Sequence, residues 1–373
     1  DRLSRAQRLL VNNGLDGLLL TTEPEFRYFT GFLSRFWLSP TRPWFLLVPA
    51  SGQPVAMVPS IGADCVMATW LSDVRTWDSP QPEDEGVTLV ANTLEERLGR
   101  TARVGMPQGP ETHLRMPIAD FQRLRALQPD MSYTDATDIL KSLRMIKSPA
   151  EVEKIEHAAS IVSAVFGAFP DHISAGQTEI DLFRLFKIHC LQNGIDDVDY
   201  LVGGAGPGGY TDIISPPTAR PVQAGDVLML DTGAVFDGYF CDFDRNWAIG
   251  TASDDAKRAY DVLWRATQAG IEAAKPGNTC RDLFMAMSAV IAELDSAGGD
   301  IGRLGHGLGM QLTEQPSHAA FDNTELKENM VLTIEPSLSY GNGMMMVHEE
   351  NIVLRAGGAA LLTKRAAVEL PVI

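Results

Sequence analysis

The spacing of apolar and polar residues changes character about one third of the way along the chain. In residues 1–137, short apolar runs alternate with helical stretches. The first residues, DRLSRAQRLL, predict an amphipathic helix. Strands are predicted in GLDGLLLTT, RPWFLLVPA and PVAMVPS, and further helices in TLEERLG and IADFQRLRAL. This alternation is typical of a small α/β domain.

The remaining residues, 138–373, combine longer helices with longer strands. Ser148 followed by Pro149 predicts a helix start, because Ser caps free backbone N–H groups and Pro suits the first turn. Further helices are predicted in TEIDLFRLFKIHCLQNG, DDAKRAYDVLWRATQAGIEAA and TCRDLFMAMSAVIAEL, and strands at 227–235, 239–249, 330–335 and 346–354. We therefore expect an α+β domain whose strands are arranged largely as hairpins.

One predicted hairpin, DVLMLDTGAVFDGYFCDFDR, gathers carboxylates on one face. Its Asp-Gly dipeptide suits a two-residue type I′ turn. With that turn, Asp231 lies opposite Asp244, and Asp242 falls on the same face because side chains alternate along a strand. For the hairpin alone, a solvated acidic face is the simpler interpretation. If the face is buried, the three acids need a cation among them.

Residues later in the chain favour a bound cation over a solvated acidic face. His306 lies between two glycines in GHG, which lets the backbone approach closely, and imidazole binds divalent transition metals. Glu335 ends the apolar run MVLTIEP, and Glu349 and Glu350 lie within MMMVHEENIVL. An ionised Glu in such a strand is costly unless it is paired or bound to metal.

The total charge of these groups indicates how many ions they would hold. Asp231, Asp242, Glu335, Glu349 and a neutral His306 together carry four negative charges, which two divalent ions would balance. A hydroxide bridging two such ions is a potent nucleophile. The residues therefore predict a two-metal hydrolytic site.

Composition limits the partners. The chain has 48 Asp and Glu against 31 Lys and Arg, a net charge of -17, which disfavours binding to nucleic acid or anionic lipid. No apolar run approaches the roughly 20 residues of a membrane span. The four cysteines form no CxxC pair, which favours reduced thiols. A cytoplasmic protein acting on a small molecule is the expectation.

The order and spacing of these residues resemble the pita-bread metallohydrolases of peptidase family M24, which include Xaa-Pro dipeptidase (prolidase), aminopeptidase P and creatinase. DTGAVFDGYFCDFDR is similar to the family's D-x-G-x-x-x-x-G-Y-x-x-D-x-T-R pattern, with Asp244 where Thr is usual. LRMIKSPAEVEKIEHA, KPGNTCRDLF, QAGDVLMLDTG and NMVLTIEPS are similar to its other blocks. RYFTGF at 27–32 resembles the N-terminal domain of the prolidase, aminopeptidase P and creatinase branch.

The resemblance implies a creatinase-like α/β domain over 1–137 and a pita-bread catalytic domain over 138–373, in a homodimer that holds two Mn, Zn, Co or Fe ions. Asp231 would bind one ion and His306 the other, and Glu335 would be a ligand that also accepts a proton. Asp242 and Glu349 would bridge the ions. Glu350 is the alternative to Glu349 as the last ligand.

The chain also departs from the family. Peptidases of the family carry a substrate-side His before the first ligand strand, but VGGAGPGGYTDIISPPTARPVQAGD contains none. A second His usually follows the ligand His by seven residues, where this chain has Thr313. Since such groups stabilise the developing oxyanion, slower amide hydrolysis is expected.

Three functional hypotheses follow. His318 or His348 could replace a missing donor and preserve a proline-directed peptidase, similar to Xaa-Pro dipeptidase or aminopeptidase P. Alternatively, the site serves a small metabolite, as in creatinase or the family's dimethylsulfoniopropionate lyase. In that case the candidates for a base or a binding group are Asp244, Tyr210 and Asp212. A non-catalytic binding module is the third hypothesis, disfavoured because all five ligands are present.

Overall fold

The computed structural model describes residues 1–39, 42–294 and 302–373. The chain divides into two compact units, Asp1–Arg144 and Met145–Ile373. The domain boundary expected from the sequence, between residues 137 and 138, falls at the start of a helix, Thr137–Met145, nearly all of which belongs to the first unit.

The strands described in the first unit form one mixed sheet in the order β4-β3-β2-β1-β5-β6. The β1–β2 and β2–β3 pairs are antiparallel, whereas β3–β4, β1–β5 and β5–β6 are parallel. Strands β4 and β6 contain no fully buried residue, so no apolar run marks them in the sequence. The bounds are β1 Gly17–Leu20, β2 Phe45–Pro49, β3 Val55–Pro59, β4 Asp73–Trp77, β5 Arg103–Met106 and β6 Ser132–Asp135.

Helices cover this sheet and bury its apolar side chains. One core cluster joins Leu19, Phe45 and Val104 of the sheet to Leu94 and Leu124 of two helices. The first helix is the amphipathic one predicted from DRLSRAQRLL. The bounds are α1 Arg2–Asn12, α2 Glu23–Thr30, α3 Ala63–Met67, α4 Val87–Leu98, α5 Ile118–Leu127 and α6 Thr137–Met145.

The helices of the second unit begin where the sequence predicted. Ser148 accepts the Glu151 N–H while the Glu151 side chain returns to the Ser148 N–H, which is a capping box, and Pro149 fills the first turn. Thr178 and Thr279 cap the second and fourth of these helices in the same way. The bounds are α7 Pro149–Ala168, α8 Glu179–Gln192, α9 Asp254–Ala273 and α10 Cys280–Ile291.

Two long antiparallel strands, with a third beside them, carry the first candidate ligands. The sheet has the order β7-β8-β9. The predicted hairpin is confirmed as β8 and β9, but β7 was not predicted, because its glycine-rich sequence has no continuous apolar run. The bounds are β7 Asp197–Pro207, β8 Asp226–Phe236 and β9 Tyr239–Ala248.

The remaining strands form a second antiparallel sheet, β11-β10-β12-β15-β16, and the pair β13-β14. The single strand predicted at 346–354 is wrong: it is two strands, β14 and β15, with His348 and Glu349 between them. The chain leaves one pair and joins the other sheet at this break. The bounds are β10 His306–Gly307, β11 Glu314–Ser317, β12 Val331–Ile334, β13 Ser337–Tyr340, β14 Met344–Val347, β15 Glu350–Arg355 and β16 Gly358–Leu361.

The core of the second unit packs α9 and α10 against these strands, with Met229, Leu263, Met287 and Ile334 fully buried. Within the described residues, no helix combines the length and the apolar content needed to cross a membrane.

Two helical glycines should respond oppositely to substitution by alanine. A Cβ at Gly270 in α9 would lie 2.7 Å from Ile334 Cγ2 and 2.8 Å from Met287 Sδ, whereas a Cβ at Gly167 in α7 meets nothing within 4 Å. Gly270→Ala should destabilise the protein by about 1–3 kcal/mol through overpacking. Gly167→Ala should stabilise it by about 0.5–1 kcal/mol through helix propensity.

Urea denaturation of both variants beside the wild type measures this difference. Equal stabilities for the two variants would show that the contact between α9 and β12 is looser than described.

Candidate metal centre

The β8–β9 hairpin sets the first two acidic side chains. Asp237 and Gly238 have φ angles of 44° and 75°, the positive values that a type I′ turn requires. The pairing is the predicted one: Asp231 faces Asp244, and Asp242 lies two residues away on the same face. The turn and the register of this hairpin are thus sufficient to place three carboxylates on one face, without a contribution from distant parts of the chain.

His306 enters from the second sheet through strand β10. A Cβ at the preceding Gly305 would lie 2.5 Å from the Thr333 carbonyl oxygen, and one at the following Gly307 would lie 2.3 Å from the Gln315 carbonyl oxygen. These close backbone approaches explain the glycines on both sides of His306. The imidazole is almost fully buried, at 3% exposure.

The hydrogen bond of one ring nitrogen leaves the other available as a ligand. Nδ1 of His306 lies 2.9 Å from the Gly307 carbonyl oxygen, which can only accept, so Nδ1 carries the proton. Nε2 therefore presents its lone pair, 3.5 Å from Asp242 Oδ2 and 3.6 Å from Glu335 Oε2. This tautomer is the one that binds a metal.

Glu349, which directly precedes β15, and Glu350, the first residue of β15, have different surroundings. Ligand atoms of Asp242, His306 and Glu349 all lie within 4.8 Å of one another, and Glu349 is 1% exposed. Glu350 is directed elsewhere: its carboxylate accepts bonds from Arg245, Thr363, Arg365 and the Ala366 N–H. The geometry therefore favours Glu349 over the alternative, Glu350.

Four carboxylates lie close together around His306. We call them the acidic cluster: Asp231, Asp242, Glu335 and Glu349. Burial, followed by the charge of Glu335, raises the pKa of Asp231 to about 8. Burial raises the pKa of Glu335 to about 7 although the positive charge of Arg303 opposes it. Burial and the neighbouring acids raise the pKa values of Asp242 and Glu349 well above their usual range.

The donor set fits divalent cations. Among the described residues, Asp231 Oδ1 and Glu349 Oε1 are buried without a hydrogen-bond partner. Burial lowers the pKa of His306 to about 3, so the imidazole is neutral and can donate its lone pair. Unpartnered carboxylate oxygens beside a neutral imidazole are what a cation site requires.

Asp244 and Tyr210, expected as candidate catalytic groups, lie in a buried hydrogen-bond network. Asp244 accepts the Glu349 N–H at one oxygen and the Asn246 amide at the other, the latter at 2.6 Å. The Tyr210 hydroxyl donates to Asn246 Oδ1 at 2.8 Å and accepts the Val347 N–H at 3.1 Å. Asp244 therefore holds the backbone N–H of Glu349, and Tyr210 holds that of Val347, two residues earlier.

The other expected auxiliary groups each make at least one hydrogen bond, although His318 Nδ1 and His348 Nε2 have no partner among the described residues. Asp212 is exposed, and its carboxylate caps a local turn at Ile214 and Ser215.

His318 is fully buried, with Nε2 2.9 Å from the Thr333 carbonyl oxygen. His348 is 2% exposed, with Nδ1 2.9 Å from Thr267 Oγ1.

Two residues of the site were not singled out by the sequence. Arg303 is half-buried, and its positive charge opposes the rise in the pKa values of Asp242 and Glu335. Asn351 is fully buried and clamps the backbone of Asp242, because its side chain accepts the Asp242 N–H and donates to the Asp242 carbonyl. In the sequence, Arg303 could have been noticed from its position three residues before His306. The role of Asn351 depends on a contact between distant strands.

Comparison with known proteins identifies the family. The model of metallopeptidase family M24 matches residues 153–356, and that of the creatinase/prolidase N-terminal domain matches residues 2–146. Together these matches span nearly the whole chain.

Similar proteins extend over the full length. The chain is 28% identical to a probable dipeptidase PepE from Mycobacterium tuberculosis, covering 100% of this chain and 96% of the relative. It is 28% identical to the Xaa-Pro dipeptidase of Lactobacillus helveticus, covering 90% and 89%. The crystal structure of prolidase from Thermococcus sibiricus superposes with a TM-score of 0.88 at 25% identity, covering 100% and 98%. The chain therefore belongs to metallopeptidase family M24, with a creatinase/prolidase N-terminal domain, and is a metal-dependent hydrolase.

Proposed function

We propose that the protein is a dinuclear metal-dependent dipeptidase acting on Xaa-Pro dipeptides. The observation that carries the proposal is the acidic cluster around the free Nε2 of His306, which contains buried carboxylate oxygens without a partner. The relatives described above, which include an Xaa-Pro dipeptidase, support the choice of substrate class.

The proposed ligands are Asp231, Asp242, His306, Glu335 and Glu349. Four carboxylates and a neutral imidazole balance two divalent ions, for which Mn, Zn, Co and Fe are the candidates. Asp231, Asp242, His306, Glu335 and Glu349 would together hold the two ions. A homodimer remains part of the proposal.

Bound ions of this kind lower the pKa of water and polarise a carbonyl oxygen, which is the chemistry that they supply. The chain itself contributes orientation and proton transfer. Glu335, whose side chain is 28% exposed, is placed to accept a proton from the attacking water. Arg303 offers a guanidinium beside the acidic cluster, suited to the carboxylate that a dipeptide carries.

A second candidate function rests on the engagement of the auxiliary groups. His348 is buried and bonded to Thr267 through Nδ1, while its Nε2 has no partner among the described residues. His318 is buried with its Nε2 held by the Thr333 carbonyl, so it does not stand ready as the second donor that an amide substrate uses. This observation favours a small metabolite, cleaved by a creatinase-like hydrolysis or by a lyase reaction as with dimethylsulfoniopropionate. A non-catalytic binding module is less favoured because the five proposed ligands converge.

The first prediction concerns metal content. Purified wild-type protein loaded with Mn²⁺ should hold two ions per chain, and His306→Ala should hold at most one. Loss of this ligand should weaken binding by more than about a hundredfold, the upper range for losing an outer-shell partner. Inductively coupled plasma mass spectrometry after dialysis measures the stoichiometry.

The matched control is His172→Ala, which removes an exposed imidazole from the same unit. Its metal content and turnover should equal those of the wild type. Full metal content in His306→Ala would contradict the ligand assignment.

The second prediction concerns pH and stability without metal. The pKa of Asp231 rises from 3.8 to about 8 and that of Glu335 from 4.5 to about 7 on folding. Such groups keep their proton in the folded protein at pH values where the unfolded chain has released it, so stability falls as the pH rises from the unfolded pKa values to the folded ones. Metal-free protein should therefore lose stability between about pH 4 and about pH 8, by about 1.4 kcal/mol per pH unit for each group that is protonated in the folded protein and ionised in the unfolded chain.

Thermal unfolding at several pH values, with and without Mn²⁺, tests this. The increase in Tm caused by Mn²⁺ should be larger at the higher pH, and Asp231→Asn should flatten the pH dependence of the metal-free protein. A metal-free Tm that rises with pH over this range would contradict the proposed electrostatics.

The third prediction concerns the substrate. Mn²⁺-loaded protein should hydrolyse Xaa-Pro dipeptides faster than creatine or dimethylsulfoniopropionate, assayed in parallel by chromatography of the products. Faster turnover of either metabolite would instead establish the second candidate function.

A further inference from the structure

The family's auxiliary imidazoles are missing here, so an oxyanion on the substrate needs another donor. The Tyr210 hydroxyl already donates to Asn246 and accepts the Val347 N–H. Asp212 is taken up by a local turn, and His318 is fully buried. One hydroxyl in the sheet of the site remains available, that of Tyr200.

Tyr200 lies in one row with a proposed ligand. It pairs with Gly233 of β8, and Gly233 pairs with Asp242 of β9. Directly opposed residues point to the same face of a sheet, so Tyr200 and Asp242 share the face of the acidic cluster. With strands about 4.8 Å apart, their Cα atoms are about 10 Å from each other, on either side of the Gly233 backbone.

Gly233, which lies between Tyr200 and Asp242, has no space for a side chain. A Cβ at Gly233 would lie 2.2 Å from Leu312 Cδ1 and 3.1 Å from the Tyr200 Cβ. Leu312 therefore lies over the bare backbone and provides an apolar wall next to the phenol. A polar hydroxyl beside an apolar wall is the usual composition of a small-molecule site.

The hydroxyl of Tyr200 is available and protonated. The residue is half-buried, and within the described residues its hydroxyl makes no hydrogen bond to the chain. Burial raises the pKa of the phenol, so it keeps its proton at neutral pH. Its pairing with Gly233, which pairs with Asp242, puts the phenol on the face of the acidic cluster.

We propose that Tyr200 is a catalytic residue that donates a hydrogen bond to the substrate carbonyl oxygen as this oxygen becomes negatively charged, in place of the missing imidazoles. The phenol keeps its proton throughout, and no bond to Tyr200 forms or breaks. The inference rests on the proposed dipeptidase function.

The test is Tyr200→Phe, which removes one oxygen atom and retains the ring. The value of kcat/KM on an Xaa-Pro dipeptide should fall by about tenfold to a hundredfold, mainly in kcat, because the bond strengthens as the oxyanion develops. Metal content and Tm should be unchanged. The inhibition constant of a phosphinate analogue of the dipeptide, which mimics the oxyanion, should rise by a similar factor.

The control is Tyr133→Phe, which removes a phenol bonded to Gln128 in the first unit and should leave the kinetics unchanged. If wild-type protein hydrolyses the dipeptide and Tyr200→Phe matches it in kcat/KM and in phosphinate inhibition, the donor role is overturned while the dipeptidase proposal stands. Loss of metal from Tyr200→Phe also overturns it, since the phenol would then support the ligands. Failure of the wild type on every dipeptide removes the proposed function, and this inference with it.

Discussion

The burial of four neighbouring carboxylates is the main electrostatic constraint on the second unit. Each acid of the acidic cluster has a raised pKa, and burial is the first cause in every case. Desolvated carboxylates either bind protons or gather cations. A buried, neutral imidazole beside them cannot supply positive charge, so at neutral pH the carboxylate oxygens need either bound protons or cations between them.

The surrounding structure resists this repulsion through backbone contacts. Asn351 clamps the backbone of Asp242, and Asp244 holds the N–H of Glu349. Because the ligands come from different strands, these bonds fix the distance between elements that share no ladder. The acid at position 244, where the family usually has Thr, thus contributes to the geometry of the site.

Two neighbouring glutamates illustrate how the site divides its acids. The carboxylate of Glu350 is balanced by Arg245 and Arg365, whereas Glu349 Oε1 has no partner among the described residues. Strand β14 ends at Val347 and strand β15 begins at Glu350. This interruption lets the side chains of Glu349 and Glu350 point into different surroundings. Glu350 is paired with two arginines, whereas Glu349 is an unpaired buried acid, which is why Glu349 is the one proposed as a metal ligand.

The sequence by itself determined the local features: the helix caps at Ser148 and Thr178, the Asp-Gly turn, and the register that places Asp231 opposite Asp244. These depend on neighbouring residues and on the alternation of side chains, so they can be predicted without knowing the fold. The family motifs added the order of the proposed ligands.

Only the tertiary structure decided which polar groups face the acidic cluster. Tyr210 and His318 were candidates by type, yet hydrogen bonds to Asn246 and the Thr333 carbonyl engage them. Arg303 and Tyr200 lie beside the cluster although no motif marked either one. The reason is physical: which side chain keeps a free donor depends on partners that are distant in sequence and adjacent only after folding.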